Sequence, residues 1–207
     1  MPNTWCNLEP NDVALVMFSG GLESSVAAEK VMRETDATLI LAHILGPHYW
    51  ASAQYQGAQK IKEYLNTIAP VNMLVFENTW PLNPGLSFLY HFIAAQICRT
   101  AHLGITTWIK TAQWVEEKHI ARRKYSEQIF KSALWSDLNY KEYGYNDNFI
   151  LRQPFDGKNK QYVISQASAY VRENLWTCVK PINGEQCGTC DKCQDYASNL
   201  DAWRWQQ

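Results

Sequence analysis

"DVALVMFSGGLESSVAAEK", residues Asp12 to Lys30, changes character abruptly at Ser19. Val13 to Phe18 form a short, mostly apolar, β-prone run bounded by glycine, which reads as a buried strand. From Ser24 onward the apolar residues fall at helical spacing. The layout is therefore strand, glycine turn, helix. Gly20 and Gly21 let the backbone approach a ligand closely, and successive N–H groups at a helix N-terminus form an anion site for which phosphate is the natural guest. Ser19, Ser24 and Ser25 add hydroxyl donors. Glu23 is out of place in an anion site unless a cation accompanies the phosphates, which points to magnesium and a nucleotide. On the loop alone, an ordinary strand-to-helix connection with a serine cap competes with this reading.

Working outward, apolar strands are predicted at Ala37–Ile44, Val71–Phe76, Ile105–Thr111 and Phe149–Gln153. Helices are predicted at Ser52–Ile68, at Pro84–Leu103 with much of its surface apolar, and at Gln161–Leu175. Such alternation predicts a doubly wound, mainly parallel α/β sheet with ligands at the carboxyl ends of the strands, where the Ser19 loop falls. Between Glu116 and Asn148 the chain turns polar and tyrosine-rich. It reads as a helix around Arg123–Ser136 and a loop that could form a flap, or as a solvated face. No internal repeat or low-complexity linker is evident.

Four of the six cysteines lie in "TCVKPINGEQCGTCDKCQDY", as Cys178-x8-Cys187-x2-Cys190-x2-Cys193. This spacing lets four thiolates converge on one ion, with Gly188 supplying a tight turn, and a closed four-sulfur zinc site would be structural. Disulfides and an iron–sulfur cluster are the alternatives. Cys98, within an apolar helix, reads as core rather than nucleophile, and Cys6 as unremarkable. The expected organisation is an ATP-binding α/β unit over residues 1–176 and a four-cysteine segment over 177–207.

The 207 residues carry 19 basic and 20 acidic side chains, so no general nucleic-acid-binding surface is expected. Met1-Pro2-Asn3-Thr4-Trp5 lacks the basic start and apolar stretch of a signal peptide, and no run is long enough to span a bilayer, so a cytoplasmic location is expected. The nine Trp and eleven Tyr read as large core and interface residues more readily than as stacking surfaces.

The order of these features, an N-terminal Ser-Gly-Gly loop followed by a C-terminal four-cysteine knuckle, resembles one family over nearly the whole chain. Ser19-Gly20-Gly21-Leu22-Glu23-Ser24-Ser25 is similar to the pyrophosphate loop of N-type ATP pyrophosphatases, usually Ser-Gly-Gly-x-Asp-Ser. The terminal cysteines resemble those of the 7-cyano-7-deazaguanine synthases (QueC) within that PP-loop superfamily. Pro84-Gly85 and Pro154 with Lys160 are similar to weaker family elements. The resemblance implies an adenine-nucleotide alpha-hydrolase-like fold with a zinc knuckle, and it implies ATP, Mg2+ and structural Zn2+ as cofactors. It also implies a homodimer acting on the carboxylate of 7-carboxy-7-deazaguanine, with ammonia as the acceptor and the nitrile as product. In that scheme Ser19, Gly20, Gly21, Leu22, Ser24 and Ser25 bind phosphate. Glu23 acts on magnesium or loop geometry, Lys160 acts on phosphate or the acyl intermediate, and Cys178, Cys187, Cys190 and Cys193 hold zinc.

Three positions depart from the family pattern. Glu23 stands for Asp, His43-Ile44-Leu45-Gly46-Pro47-His48 for Asp-Tyr-Gly-Gln-x-His, and Pro84-Gly85-Leu86-Ser87 for Pro-Gly-Arg-Asn. The last exchange removes a guanidinium suited to bidentate binding of phosphate or carboxylate. The compact, divergent chain fits a virus- or defence-encoded relative. The alternatives are a ligase joining a deazapurine carboxylate to another amine or stopping at the amide, and a non-catalytic binding protein. A tRNA-thiolating relative is disfavoured by the terminal position of the cysteines and the lack of basic character.

Overall fold

A computed structural model describes residues 7–10, 12–77, 93–94, 97, 106–109, 149–152, 154–155 and 157–206. The expected flap between 116 and 148, the Pro84-Gly85 element, Cys6 and Cys98 lie outside the described residues. So does the Pro84–Leu103 helix, except that Ile93, Ala94 and Ile97 are helical.

Strand β1, Val13–Met17, is the centre of the sheet, with burial throughout its first four residues. Helix α1 follows at Leu22–Glu34, then β2 at Thr38–Leu45, α2 at Ala51–Asn66 and β3 at Asn72–Glu77. Strands β4, Thr106–Ile109, and β5, Phe149–Arg152, complete a five-stranded sheet of order β3-β2-β1-β4-β5, and every pairing is parallel. The order reverses at β1, between β2 and β4. In an open parallel sheet this is where the crossover connections diverge and leave a crevice beyond the strand ends.

The period of two along the central strands separates two cores. Ala14, Val16, Leu39 and Leu41 join Val26, Ala27, Val31, Ile61 and Leu65 of α1 and α2 on one face. Leu15 and Ala42 meet Ala94 and Ile97 on the other. Both faces are covered, as a parallel sheet requires. Each fully buried Val, Leu or Ile contributes roughly 1.5–3 kcal/mol relative to exposure.

The C-terminal region departs from its sequence-based reading. Instead of one helix over Gln161–Leu175, the chain forms α3, Lys160–Gln166, and α4, Ala169–Asn174. The break has identifiable causes. Ala167 is extended, and the Ser168 side chain caps α4 by accepting from the Val171 N–H. The Ser168 N–H, released from the helix ladder, donates to the buried Glu29 carboxylate of α1 at 3.0 Å. A hydrogen-bonded alternative of this kind is why serine favours caps over helix interiors. Helix α5, Asp191–Arg204, follows the cysteines. Its Tyr196, Leu200 and Trp203 pack against the first core, and the Arg172 guanidinium lies 4.5 Å over the Trp203 ring. Among the described residues, no helix is long and apolar enough to cross a membrane.

Candidate functional site

The Ser19 loop leaves the carboxyl end of β1 at the point where the strand order reverses. Small side chains tie it together. The Ser24 hydroxyl accepts from the Ser19 N–H at 3.3 Å, lies 3.2 Å from the Ser19 hydroxyl and donates to the Gly21 carbonyl at 3.2 Å. The Ser19 hydroxyl accepts from the Gly21 N–H at 3.2 Å. Gly21 is the N-cap of α1, and no side chain caps that helix start. The first-turn N–H groups and a dipole end with a positive partial charge make this a place for an anion. Ser19 is exposed, Glu23 partly so, and Leu22, Ser24 and Ser25 are buried, the Ser25 hydroxyl without a partner among the described residues.

Gly20 is required by geometry. Its φ is +76°, and an added Cβ would stand 2.7 Å from the Ala58 Cα of α2. A side chain there would have to displace a helix backbone.

Beside the loop, a small open pocket of about 50 Å3 is lined by Met17, Phe18, Ser19, Ala42, His43, Ile44 and Gln54. His43 is buried, and its Nδ1 lies 2.7 Å from the Phe18 carbonyl oxygen. A carbonyl only accepts, so Nδ1 carries the proton and Nε2 keeps a lone pair. That Nε2 is buried and has no hydrogen-bond partner among the described residues. Burial holds the imidazole below its usual range, against the opposing pull of the Phe18 carbonyl, so the ring stays neutral. The wall therefore offers a ligand one hydrogen-bond acceptor. In the sequence His43 stood out only as a departure from a motif. The available signal was a histidine at the buried end of an apolar strand.

The cysteines form the second centre. Cys178, Cys187, Cys190 and Cys193 bring their sulfurs within 4.8 Å of one another. The Cys178 sulfur is 3.5 Å from that of Cys187 and 4.0 Å from that of Cys190. These separations bracket the roughly 3.8 Å sulfur–sulfur edge of a tetrahedron with metal–sulfur bonds of about 2.3 Å. Backbone N–H groups of Lys180 and Cys187 donate to the Cys178 sulfur, and that of Cys190 to the Cys187 sulfur, each at 3.3 Å. Such donors stabilise thiolates. Backbone donation from Thr189 leads the effects that bring the Cys187 thiol down to about 6, whereas burial pushes Cys193 up to about 12.

Between the first two cysteines the chain reverses at Asn183-Gly184, both with positive φ. Ile182 and Glu185 exchange backbone hydrogen bonds across the turn at 3.0 and 2.9 Å. This tight hairpin, an Asn-Gly turn with both central residues left-handed, returns Cys187 to Cys178.

Lys160 begins α3, and its ammonium pairs with the Asp195 carboxylate of α5. Trp176, which sequence reasoning did not single out, does reach the loop, donating its backbone N–H to the Gly20 carbonyl at 2.8 Å.

No family model matches the chain, and no curated protein does. Among solved structures, the chain is similar to the U34-tRNA thiolase NcsA from Methanococcus maripaludis with its 4Fe–4S cluster. The TM-score is 0.54 at 13% identity, over 96% of this chain and 73% of that one. At that identity the likeness extends to the α/β architecture alone. The expected fold class, a parallel α/β sheet with a C-terminal cysteine knuckle, is the one observed.

Proposed function

We propose that this chain is an ATP-dependent carbon–nitrogen ligase of the 7-cyano-7-deazaguanine synthase type. It would convert 7-carboxy-7-deazaguanine and ammonia to 7-cyano-7-deazaguanine, working as a cytoplasmic homodimer. The observation that carries the reading is the uncapped Ser-Gly-Gly loop at the strand-order reversal, joined through Trp176 to a closed four-thiol knuckle.

In this reading a carboxylate oxygen attacks the α-phosphorus of ATP and pyrophosphate leaves. Ammonia then attacks the acyl carbon, loses a proton and expels AMP with that oxygen, leaving the amide. The amide oxygen attacks the α-phosphorus of a second ATP, pyrophosphate again departs, and loss of AMP and two N–H protons yields the nitrile. The N–H groups of the α1 N-terminus, with Ser19 and Ser24, hold the pyrophosphate, and their orientation before reaction makes them effective toward the charge that develops on it. Mg2+ would neutralise phosphate charge beside Glu23. Lys160 would act on phosphate or the acyl intermediate by exchanging its Asp195 partner for the substrate.

Zn2+ fits the four-thiol set. Sulfurs this close surround a single ion, whereas a four-iron cubane spreads its cysteine ligands around a larger body. With four protein ligands no position is left to activate water, and the ion would fold the knuckle.

The departures at Glu23, His43 and Leu86 favour a second reading, in which the same activation serves a different acceptor or stops at the amide. The thiolase with this fold makes sulfur one such acceptor. Mass spectrometry of a reaction containing zinc-loaded protein, ATP, Mg2+, ammonia and 7-carboxy-7-deazaguanine, beside a Ser24→Ala control, tests both. A nitrile made only by the parent is expected. ATP consumption without nitrile selects the second reading, and ligand binding without turnover overturns both.

A further inference from the structure

Trp176 stands where the chain leaves α4 and enters the cysteine segment, and it is held from both sides. Toward the knuckle, its indole N–H donates to the Cys178 carbonyl at 2.7 Å. The Gln186 side chain brackets it, accepting from the N–H groups of Thr177 and Cys178 at 2.8 and 3.2 Å and donating to the Leu175 carbonyl at 2.9 Å. Toward the α/β body, Trp176 Cβ fills the notch left by Gly57 of α2, where an added Cβ would come within 2.7 Å of it. Its backbone N–H ends on the Gly20 carbonyl.

That last bond fixes more than one atom. A trans peptide is planar, so the carbonyl of Gly20 and the N–H of Gly21 point in opposite directions. Drawing the Gly20 carbonyl toward Trp176 turns the Gly21 N–H inward, toward the Ser19 hydroxyl. At a glycine pair the peptide plane is free to rotate where other residues would resist, so an external donor is needed to choose its orientation.

We propose that Trp176 is a positioning residue: it locks the Gly20–Gly21 peptide plane and so couples metal loading of the cysteine knuckle to phosphate binding by the Ser19 loop. The inference rests on the reading of that loop as a phosphate site. When the metal is removed, the bonds that place Cys178 and Gln186 loosen, Trp176 loses its register and the loop donors disperse. Because binding coupling is reciprocal, bound pyrophosphate slows metal release by the same linkage.

The test uses the full zinc-loaded chain and inorganic pyrophosphate with Mg2+. Calorimetry is expected to give binding about tenfold weaker for Trp176→Ala, with the zinc stoichiometry retained. Trp176→Phe, which like the alanine variant keeps the backbone donor and lacks the indole N–H but still leaves a ring on Gly57, is expected to stay within about threefold of the parent. Hydrogen exchange at the Trp176 amide of the unaltered protein is expected to accelerate at least tenfold on chelation, while the β1 amides stay protected. Unchanged pyrophosphate affinity in a folded, zinc-loaded Trp176→Ala protein overturns the coupling, and so does Trp176 exchange that ignores the metal. A parent that binds zinc but not pyrophosphate overturns the phosphate reading instead. The exchange arm then still decides whether the knuckle holds Gly20.

Discussion

The Ser19–Ser25 loop and the Cys178–Cys193 knuckle each gather ligand-binding groups, with opposite parts of the chain. In the loop the donors are backbone N–H groups, and the side chains are small so that a ligand can come close. In the knuckle the ligands are sulfurs, and backbone N–H groups support them from behind. Backbone donors depend on the conformation of a few dihedrals, which distant residues must hold. A set of thiols depends on spacing and turns encoded within one short segment, Cys178 to Cys193. The ligands of the knuckle are therefore specified locally, while the loop depends on Ala58, Ser24 and Trp176.

The comparison breaks most visibly at the cysteines. Cys190→Ser, which removes a buried sulfur from the set, is expected to abolish stoichiometric zinc binding by metal analysis. It should lower the Tm by on the order of 10 °C, because metal binding and local folding are one event. A retained Tm and full zinc would mean that three thiols suffice. In the loop the expected damage is to function. Ser24→Ala deletes three internal hydrogen bonds of the phosphate turn and should slow ATP turnover by about 10²-fold, while the Tm moves by less than about 3 °C. Turnover at the parent rate would remove Ser24 from the phosphate site.

A smaller effect is expected behind the loop, on the buried face of α1. Burial alone would raise the Glu29 carboxyl, but hydrogen bonds from Tyr64, from the amide and hydroxyl of Ser168 and from Arg33 lower it below 4.5. Its folded pKa lies below its unfolded one, so the stabilisation is complete above pH 4.5 and is lost as pH falls through the folded value. Glu29→Gln should cost about 1–3 kcal/mol in urea unfolding at neutral pH and flatten the stability profile below pH 4.5. An unaltered acid limb would contradict this assignment.

The smallest effect belongs to His43, whose folded pKa is depressed below 6.5 by burial. It must charge in the unfolded chain first, so stability declines as pH drops below 6.5. His43→Gln, which can still donate to the Phe18 carbonyl, should flatten the profile between pH 6.5 and 4.5. It should also weaken any cavity ligand that donates to Nε2. Parent-like slopes in that range would show that Nε2 is free to protonate in the fold.

The two centres also differ in how legible they were. Alternation of apolar runs and helical spacing was enough to read the five parallel strands and the helices α1 and α2, because those patterns are local. The Cys-x2-Cys-x2-Cys spacing was legible for the same reason, and α5 was missed because its polar face masks an apolar stripe of only Tyr196, Leu200 and Trp203. The break between α3 and α4 was not legible. It depends on Glu29, a residue of α1, accepting the Ser168 N–H. The resemblance assigned Lys160 to phosphate or the acyl intermediate, and its Asp195 partner, on a helix that only folding brings alongside, was not legible.

From the sequence by itself follow the sheet and its helices, the position of the glycine turn and the convergence of four thiols. Each depends on periodicity or on spacings within a short segment. Tertiary structure alone decided the neutral state and unpartnered Nε2 of His43, the engagement of Lys160 by Asp195 and the hold of Trp176 on the Gly20 carbonyl. Those depend on desolvation and on hydrogen bonds between groups far apart in the chain, whose partners no local pattern specifies.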